Sequence, residues 1–392
     1  MVLPCDRHGV RGCRFHVERG RVKVNQSLIP AARPIIGDEE REAVDRVLRS
    51  GMVAQGPEVK AFEAEFGEQL VGGRECVAVN SGTAGLHLGL LACGIGPGDE
   101  VIVPSFTFAA TGNSVALTGA TPVFADIEPD HFCLDPRSVR ESVTERTRAI
   151  MPVHLYGHPA AMAELRAIAD EHDLLLFEDA AQAHGARLDG APVGTFGDFA
   201  MFSLYPTKNM TSGEGGMVSC GSPEVARQLR LLRNQGMEVQ YANEIVGFNA
   251  RMTDLHAAIG RVQLTKVGGW TDQRRANAAV LDAGLADVDG VTTPPVKDGA
   301  THVYHQYTIR VAEDRDRVVQ ALREEHGVGS GVYYPIPNHR LPSLERYAPG
   351  LDLPRTEEAA RQVISLPVHP SLTEGDLERV VEGVRATVRA GA

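Results

Sequence analysis

Short apolar runs alternate with helical segments along the first half of the chain. The runs "CVAV", "EVIVP", "TPVFAD", "AIMPVHL", "LLLFED" and "FAMFSL" are each too short for a helix and too apolar to leave one face wet. Between them lie stretches such as "GTAGLHLGLLAC" and "PAAMAELRAIADEH", with apolar residues at helical spacing. Strands buried on both faces need cover on both, and parallel neighbours need crossovers, which helices supply. The pattern therefore predicts an α/β domain around a mostly parallel sheet. A helix precedes it in "IIGDEEREAVDRVLRSG", apolar at Ala43, Val44, Val47 and Leu48 and stopped by Gly51. After "GMVSCGSPEVARQLRLLRNQG" the pattern changes. A long helical region over 251–289, an alternating strand in "THVYHQYTIRV", a helix near 314–326, a strand in "GVGSGVYY" and a helix in "EGDLERVVEGVRATVRA" predict a smaller α+β unit. The expected division is a large domain over 34–265 and a small one over 266–392, and 392 residues suit two domains. Residues 1–33, rich in Arg and His and without periodicity, read as an arm or leader.

Charge and composition exclude several classes. A net charge of -12 repels a phosphate backbone, so nucleic acid is not an expected partner. No window reaches about 18 uncharged apolar residues, and arginines interrupt "MVLPCDRHGVRGCRFHVERGRVK", so neither a membrane span nor a secretory segment is expected and the reading is cytoplasmic. The six cysteines, Cys5, Cys13, Cys76, Cys93, Cys133 and Cys220, form no C-x-x-C pair and read as reduced thiols. Cys5, His8, Cys13 and His16 lie too close together for a zinc finger. Asp126, Glu128 and Asp130 read as a solvated turn, and no metal is expected there or at His154 and His158.

Three stretches carry chemistry. In "AVNSGTAGLHLGL" a strand runs through Asn80-Ser81-Gly82-Thr83 into a helix, whose first-turn N–H groups either receive a plain cap from Ser81 or bind a phosphate. "GIGPGDE" has dinucleotide-like glycine spacing but follows a helix and precedes a strand, so it reads as a turn. In "LLLFEDAAQAHG" the apolar strand ends in Glu178-Asp179, where an open α/β sheet presents ligands. "FSLYPTKNMTSGEGGMV" sets Lys208 before Gly213, Gly215 and Gly216, glycines that let backbone and ligand approach closely. A phosphate cradle, a strand-end aspartate and a desolvated lysine are together what pyridoxal 5'-phosphate requires: an anion site, a partner for the ring nitrogen and an amine for the Schiff base.

From about Pro34 onward the chain resembles the DegT/DnrJ/EryC1/StrS sugar aminotransferases, of the aspartate aminotransferase fold (fold type I). The blocks that carry the resemblance are "NSGTAGLHL", "GPGDEVIVPSFTFAAT", "GATPVFADIEP", "PVHLYGHPA", "FEDAAQAHGA", "FSLYPTKNMTSGEGG", "FNARMTDLHAAIG" and "YYPIPNHRLP". The resemblance implies that Lys208 forms the Schiff base and Asp179 pairs with the pyridine nitrogen. It implies that Gln182 reaches the phenolic oxygen, Phe108 stacks on the ring, and Gly82, Thr83 and Ser203 hold the phosphate. Asn249 would reach the phosphate from the neighbouring subunit, which implies a homodimer with shared active sites. Arg251, His339 and Arg340 are substrate-side candidates by their place in the matching blocks.

The implied activity is transfer of an amino group from L-glutamate to a nucleotide-activated keto-deoxyhexose, first of all dTDP-4-keto-6-deoxy-D-glucose at C-4, in amino-sugar or antibiotic biosynthesis. A C-3 keto sugar, a keto-cyclitol and a non-catalytic regulatory relative are the alternatives. Dehydratases of this family carry histidine at the lysine position, so Lys208 favours transamination. Ring position, stereochemistry and nucleotide are set by pocket contacts that spacing does not rank.

Overall fold

The computed structural model describes residues 28–389. Cys5, His8, Cys13 and His16, and all of the expected leader up to residue 27, lie outside the described residues.

The six apolar runs, joined by a seventh strand from "GMVSC", form one seven-stranded sheet. In chain order they are β1 (Cys76–Val79), β2 (Glu100–Pro104), β3 (Thr121–Ala125), β4 (Thr147–Ile150), β5 (Leu175–Asp179), β6 (Phe199–Ser203) and β7 (Gly216–Cys220). Their spatial order is β1-β7-β6-β5-β4-β2-β3. The pairs β6–β5, β5–β4, β4–β2 and β2–β3 are parallel, whereas β7 runs antiparallel to both of its neighbours. The sheet is thus mostly parallel, as the alternation predicts.

Alternate residues of each strand enter different cores. Val77, Val79, Phe199 and Met201 pack on one face, with Leu86, Leu88 and Leu90 of the helix Gly82–Ala92. Ala78, Ala200 and Phe202 pack on the other, with Phe62 and Phe66 of Pro57–Leu70 and Leu264 of Asp254–Leu285. Both faces are therefore dry, which explains why the strands read as continuous apolar runs.

A separate core gathers Leu281, Tyr307, Ile309, Leu322, Ile364, Val380 and Val384, with Ile29 from the start of the described chain. It surrounds a three-stranded sheet of β8 (Val291–Thr292), β9 (Tyr307–Val311) and β10 (Val363–Leu366), in that order, with the helices Arg315–Glu324 and Glu374–Arg389. This separate core supports our proposed division into 34–265 and 266–392, although the helix Asp254–Leu285 runs unbroken through the boundary. The strand expected in "GVGSGVYY" forms only isolated bridges, Ile29 with Val328 and Gly331 with Ser365. A Tyr334 φ of 60° takes the chain out of extended geometry there. Among the described residues no helix is long and apolar enough to cross a membrane.

Candidate active site

The carboxyl ends of β1, β2, β5 and β6 open onto one cavity of about 510 Å³. That is where open α/β sheets bind ligands, and the volume suits a cofactor-sized molecule. Its walls include Gly82, Thr83, Phe108, Asp179, Gln182, Ser203 and Lys208, seven of the sequence-derived candidates.

The helix Gly82–Ala92 begins directly after β1. Ser81 Oγ accepts from Ala84 N at 3.1 Å and Ser81 O from Gly85 N at 3.0 Å, so the first-turn amides left for a ligand are those of Gly82 and Thr83. A side chain at Gly82 would meet Ser203 Cβ at 3.1 Å and Met201 Sδ at 3.2 Å. The bare backbone is what lets an anion approach these amides and the Ser203 hydroxyl. Capping by Ser81 thus leaves two amides free on the same helix end.

The two acids that end β5 divide their roles by which way they face. Glu178, fully buried, points away from the cavity, and its carboxylate accepts from Gly194 N, Phe196 N, Gly197 N and His154 Nε2 at 2.8 to 3.1 Å. Ala160 N donates to His154 Nδ1, so the hydrogen on His154 must sit on Nε2. Asp179 faces the cavity at 4 % exposure, accepting from Thr111 Oγ1 at 2.8 Å and Ala181 N at 3.2 Å. Burial pushes its carboxyl above the ordinary range, while Thr111, Ala181 and Lys208 pull it back.

Lys208 lies in a loop folded back on itself. Ser212 N and Thr211 Oγ1 both donate to Leu204 O, and Leu204 N donates to Gly215 O. Gly213 takes a φ of 88°, and a side chain on Gly215 would strike Met252 Cε and Ser212 Oγ at 2.6 Å. These two glycines allow the fold-back. Asn209 ties the loop to the C-terminal unit, donating to Val303 O at 3.0 Å. Lys208 is half-buried at the cavity wall. Desolvation lowers its amine to a pKa of about 8, with the Asp179 carboxylate raising it.

Phe108 stands 63 % exposed in the cavity wall, a position for a ring that awaits a flat partner rather than for core. Gln182 Oε1 accepts from Tyr156 N at 2.6 Å, and its Nε2 donates to Tyr334 Oη at 2.8 Å. One amide hydrogen is left for a ligand.

The remaining candidates are not brought to this cavity. His339 is completely buried, with Nδ1 2.6 Å from Ser105 Oγ and Nε2 3.2 Å from Glu357 Oε1. The Ser–His–Glu line has the look of a hydrolytic triad, but Ser105 is also fully buried, so the arrangement is a clamp. Arg340 is exposed and pairs with Glu357 at 2.6 Å. The expectation that His339 and Arg340 meet substrate does not fit these positions. Asn249 is exposed and bridged to Asn234, and Arg251 donates to Asn234 Oδ1 at 2.8 Å; neither lines the cavity of its own chain. The supposed solvated turn is also corrected, because Asp126 is buried and accepts from Arg355 N, Thr356 N and Thr356 Oγ1. His158 accepts from Lys297 N.

Sequence reading missed Thr111, Glu214, His305, Tyr333 and Tyr334. All but Thr111 line the cavity. Tyr333 and Tyr334 had a signal, an aromatic pair just before a proline in "YYPIPNHRLP".

The residues present fit pyridoxal 5'-phosphate: a side-chain-free anion cradle, a buried carboxylate held by donors, an unpartnered aromatic wall and an amine of lowered pKa share one cavity. A family model described as the DegT/DnrJ/EryC1/StrS aminotransferase family matches residues 34–385. The chain is 44% identical over 359 residues to a dTDP-3-amino-3,4,6-trideoxy-alpha-D-glucose transaminase of Streptomyces venezuelae, spanning 91% of this chain and 94% of that protein. The crystal structure of S. venezuelae DesV in complex with a ketimine intermediate superposes with a TM-score of 0.88 at 42% identity, covering 92% of this chain and 99% of DesV. NtdA of Bacillus subtilis with bound cofactor PMP gives 0.86 at 32% identity, covering 94% and 87%.

Proposed function

The chain belongs to the DegT/DnrJ/EryC1/StrS aminotransferases, pyridoxal-phosphate enzymes of fold type I, and from that premise we propose that it moves an amino group from L-glutamate to a dTDP-linked keto-deoxyhexose. One observation carries this reading: Lys208, Asp179 and the free amides of Gly82 and Thr83 meet in a single cavity at the strand ends.

Pyridoxal 5'-phosphate supplies, when bound, an aldehyde that ferries the amino group and a ring that withdraws electrons from the carbon losing its proton. The amides of Gly82 and Thr83 and the Ser203 hydroxyl would hold its phosphate. Asp179 would face its ring nitrogen, Gln182 its phenolic oxygen, and Phe108 would pack on its face. The Lys208 amine, neutral in part at neutral pH, takes the proton from the donor's α-carbon and later delivers one to the former keto carbon of the sugar. Both halves use one base. In its charged form, which Thr111 Oγ1 and Ala181 N favour by donating to it, Asp179 would keep a proton on the ring nitrogen.

The S. venezuelae relative's name supports amination at C-3 over the C-4 position expected first. Lys208 is the one Lys or Arg among the described residues lining the cavity, and Asp179 and Glu214 add negative charge. A diphosphate therefore needs cations from beyond this lining. This supports a homodimer in which the exposed segment bearing Asn249 and Arg251 completes the neighbour's site. The test is a panel of dTDP-3-keto and dTDP-4-keto deoxyhexoses and keto-cyclitols offered with glutamate, products being read by NMR. The reading expects a 3-amino sugar; amination at C-4 would correct the ring position, and turnover of keto-cyclitols alone would remove the nucleotide sugar.

A further inference from the structure

Asp179 is gripped from two sides by groups of different kinds. Ala181 N donates to Oδ1 along the chain, at 3.2 Å. Thr111 Oγ1 donates to Oδ2 at 2.8 Å from a position 68 residues away in sequence. Thr111 is fully buried in the first turn of the helix Ala110–Leu117, and Ser114 Oγ donates to its carbonyl. A hydroxyl has one hydrogen. With that hydrogen on Asp179, Thr111 Oγ1 can only accept from Thr107 Oγ1, which lies 3.4 Å away and belongs to the cavity wall.

The segment from Ser105 to Thr111 therefore bears two functions. It presents Phe108 to the cavity and a donor to Asp179. Its start is fixed by the C-terminal unit: Asn338 N donates to Ser105 O at 3.0 Å, His339 N to Ser105 Oγ at 3.1 Å, and the His339 ring lies beside the same hydroxyl. His339, remote from substrate, thus anchors the segment that aims Phe108 and Thr111.

A carboxylate that accepts two protein hydrogen bonds is favoured in its charged form, against the burial that disfavours it. Of the contacts that hold the Asp179 carboxyl down, Thr111 is the largest.

We propose that Thr111 is a positioning residue: its hydroxyl holds Asp179 as an oriented carboxylate, with its remaining accepting direction free for the ring nitrogen of the cofactor. The proposal rests on the reading of the site given above. Without Thr111 the buried carboxyl drifts towards its neutral form, and the ring nitrogen loses the charge that keeps it protonated.

The experiment compares the full-length parent with Thr111→Val, which keeps shape and removes the donor, and Thr111→Ser, which restores it. Apo-protein is titrated with pyridoxal 5'-phosphate by absorbance, the bound cofactor's colour is followed against pH, and thermal melting of the apo-protein controls for folding. Val weakens cofactor binding by about tenfold, the scale of a lost hydrogen bond to a charged group. It also moves the colour midpoint to higher pH, because an uncharged ring nitrogen withdraws fewer electrons from the titrating atom; Ser returns both towards the parent. If Val does not fold, Thr111→Ala removes the same donor with less bulk and must give the same two shifts. A Val or Ala variant whose dissociation constant stays within about twofold of the parent's and whose colour midpoint does not move to higher pH overturns the proposal. A parent that takes up no cofactor overturns the site itself, a separate outcome.

Discussion

The amine of Lys208 is brought to a pKa of about 8 by loss of surrounding water, with Asp179 pulling the other way. The neutral amine is the nucleophile, so its fraction grows as pH rises through that value. Apo-protein mixed with pyridoxal 5'-phosphate should turn yellow at a rate that climbs as pH passes about 8 and then levels off. A midpoint near the ordinary lysine value of 10.5 would contradict the desolvation. Lys208→Ala should remove turnover by several orders of magnitude, since both proton transfers lose their base; glutamate-dependent assays check this. At this scale the sequence made Lys208 and Asp179 legible, because glycine context and a strand end are local features. Thr111 was not legible, since its partner is 68 residues away and threonine in a helix has no distinctive signal. His339 shows the reverse error, a residue in a telling block whose ring is consumed by Ser105 and Glu357.

The helix Gly82–Ala92 aims its first turn at the cavity because it can lie close to the sheet. A side chain on Gly85 would meet Met201 Cγ at 2.8 Å, and one on Gly89 would meet the Phe199 ring at 2.7 Å. Gly89→Ala is therefore overpacked and should cost about 1–3 kcal/mol in denaturant unfolding, with a loss of cofactor affinity as the Gly82 and Thr83 amides shift. Ser81→Ala removes the cap and should cost about 1 kcal/mol. If Gly89→Ala were as stable as the parent, the helix would not sit where it is described. Strand existence was readable because double burial makes apolar runs. Strand direction was not, since the reversal of β7 leaves no trace in periodicity. β10, only Val363–Leu366, was missed because four residues directly after a helix show no alternation, and its pairing partner β9 lies more than 50 residues earlier in the chain.

Across the whole molecule, the site depends on both units. Tyr334 holds Gln182, Val303 holds Asn209, and Asn338 and His339 hold Ser105. The C-terminal core was legible as a change of pattern. The long helix through residue 265 was legible too, as helical spacing over 251–289, but that spacing marks no seam between units. The exposed segment with Val239, Tyr241, Val246 and Phe248 leads into Asn249 and Arg251, an apolar surface suited to a second copy. If sites are shared in this way, chains carrying Lys208→Ala and chains carrying Asn249→Ala, each weakened or inactive alone, should recover activity when refolded together. No recovery would assign each site to a single chain. The central claim, that Lys208 captures the cofactor in this cavity, is tested most directly by reducing the cofactor-loaded protein with borohydride and mapping the added mass by peptide sequencing. The account predicts one pyridoxyl-phosphate adduct, on Lys208. An adduct on another lysine, or none, would contradict it.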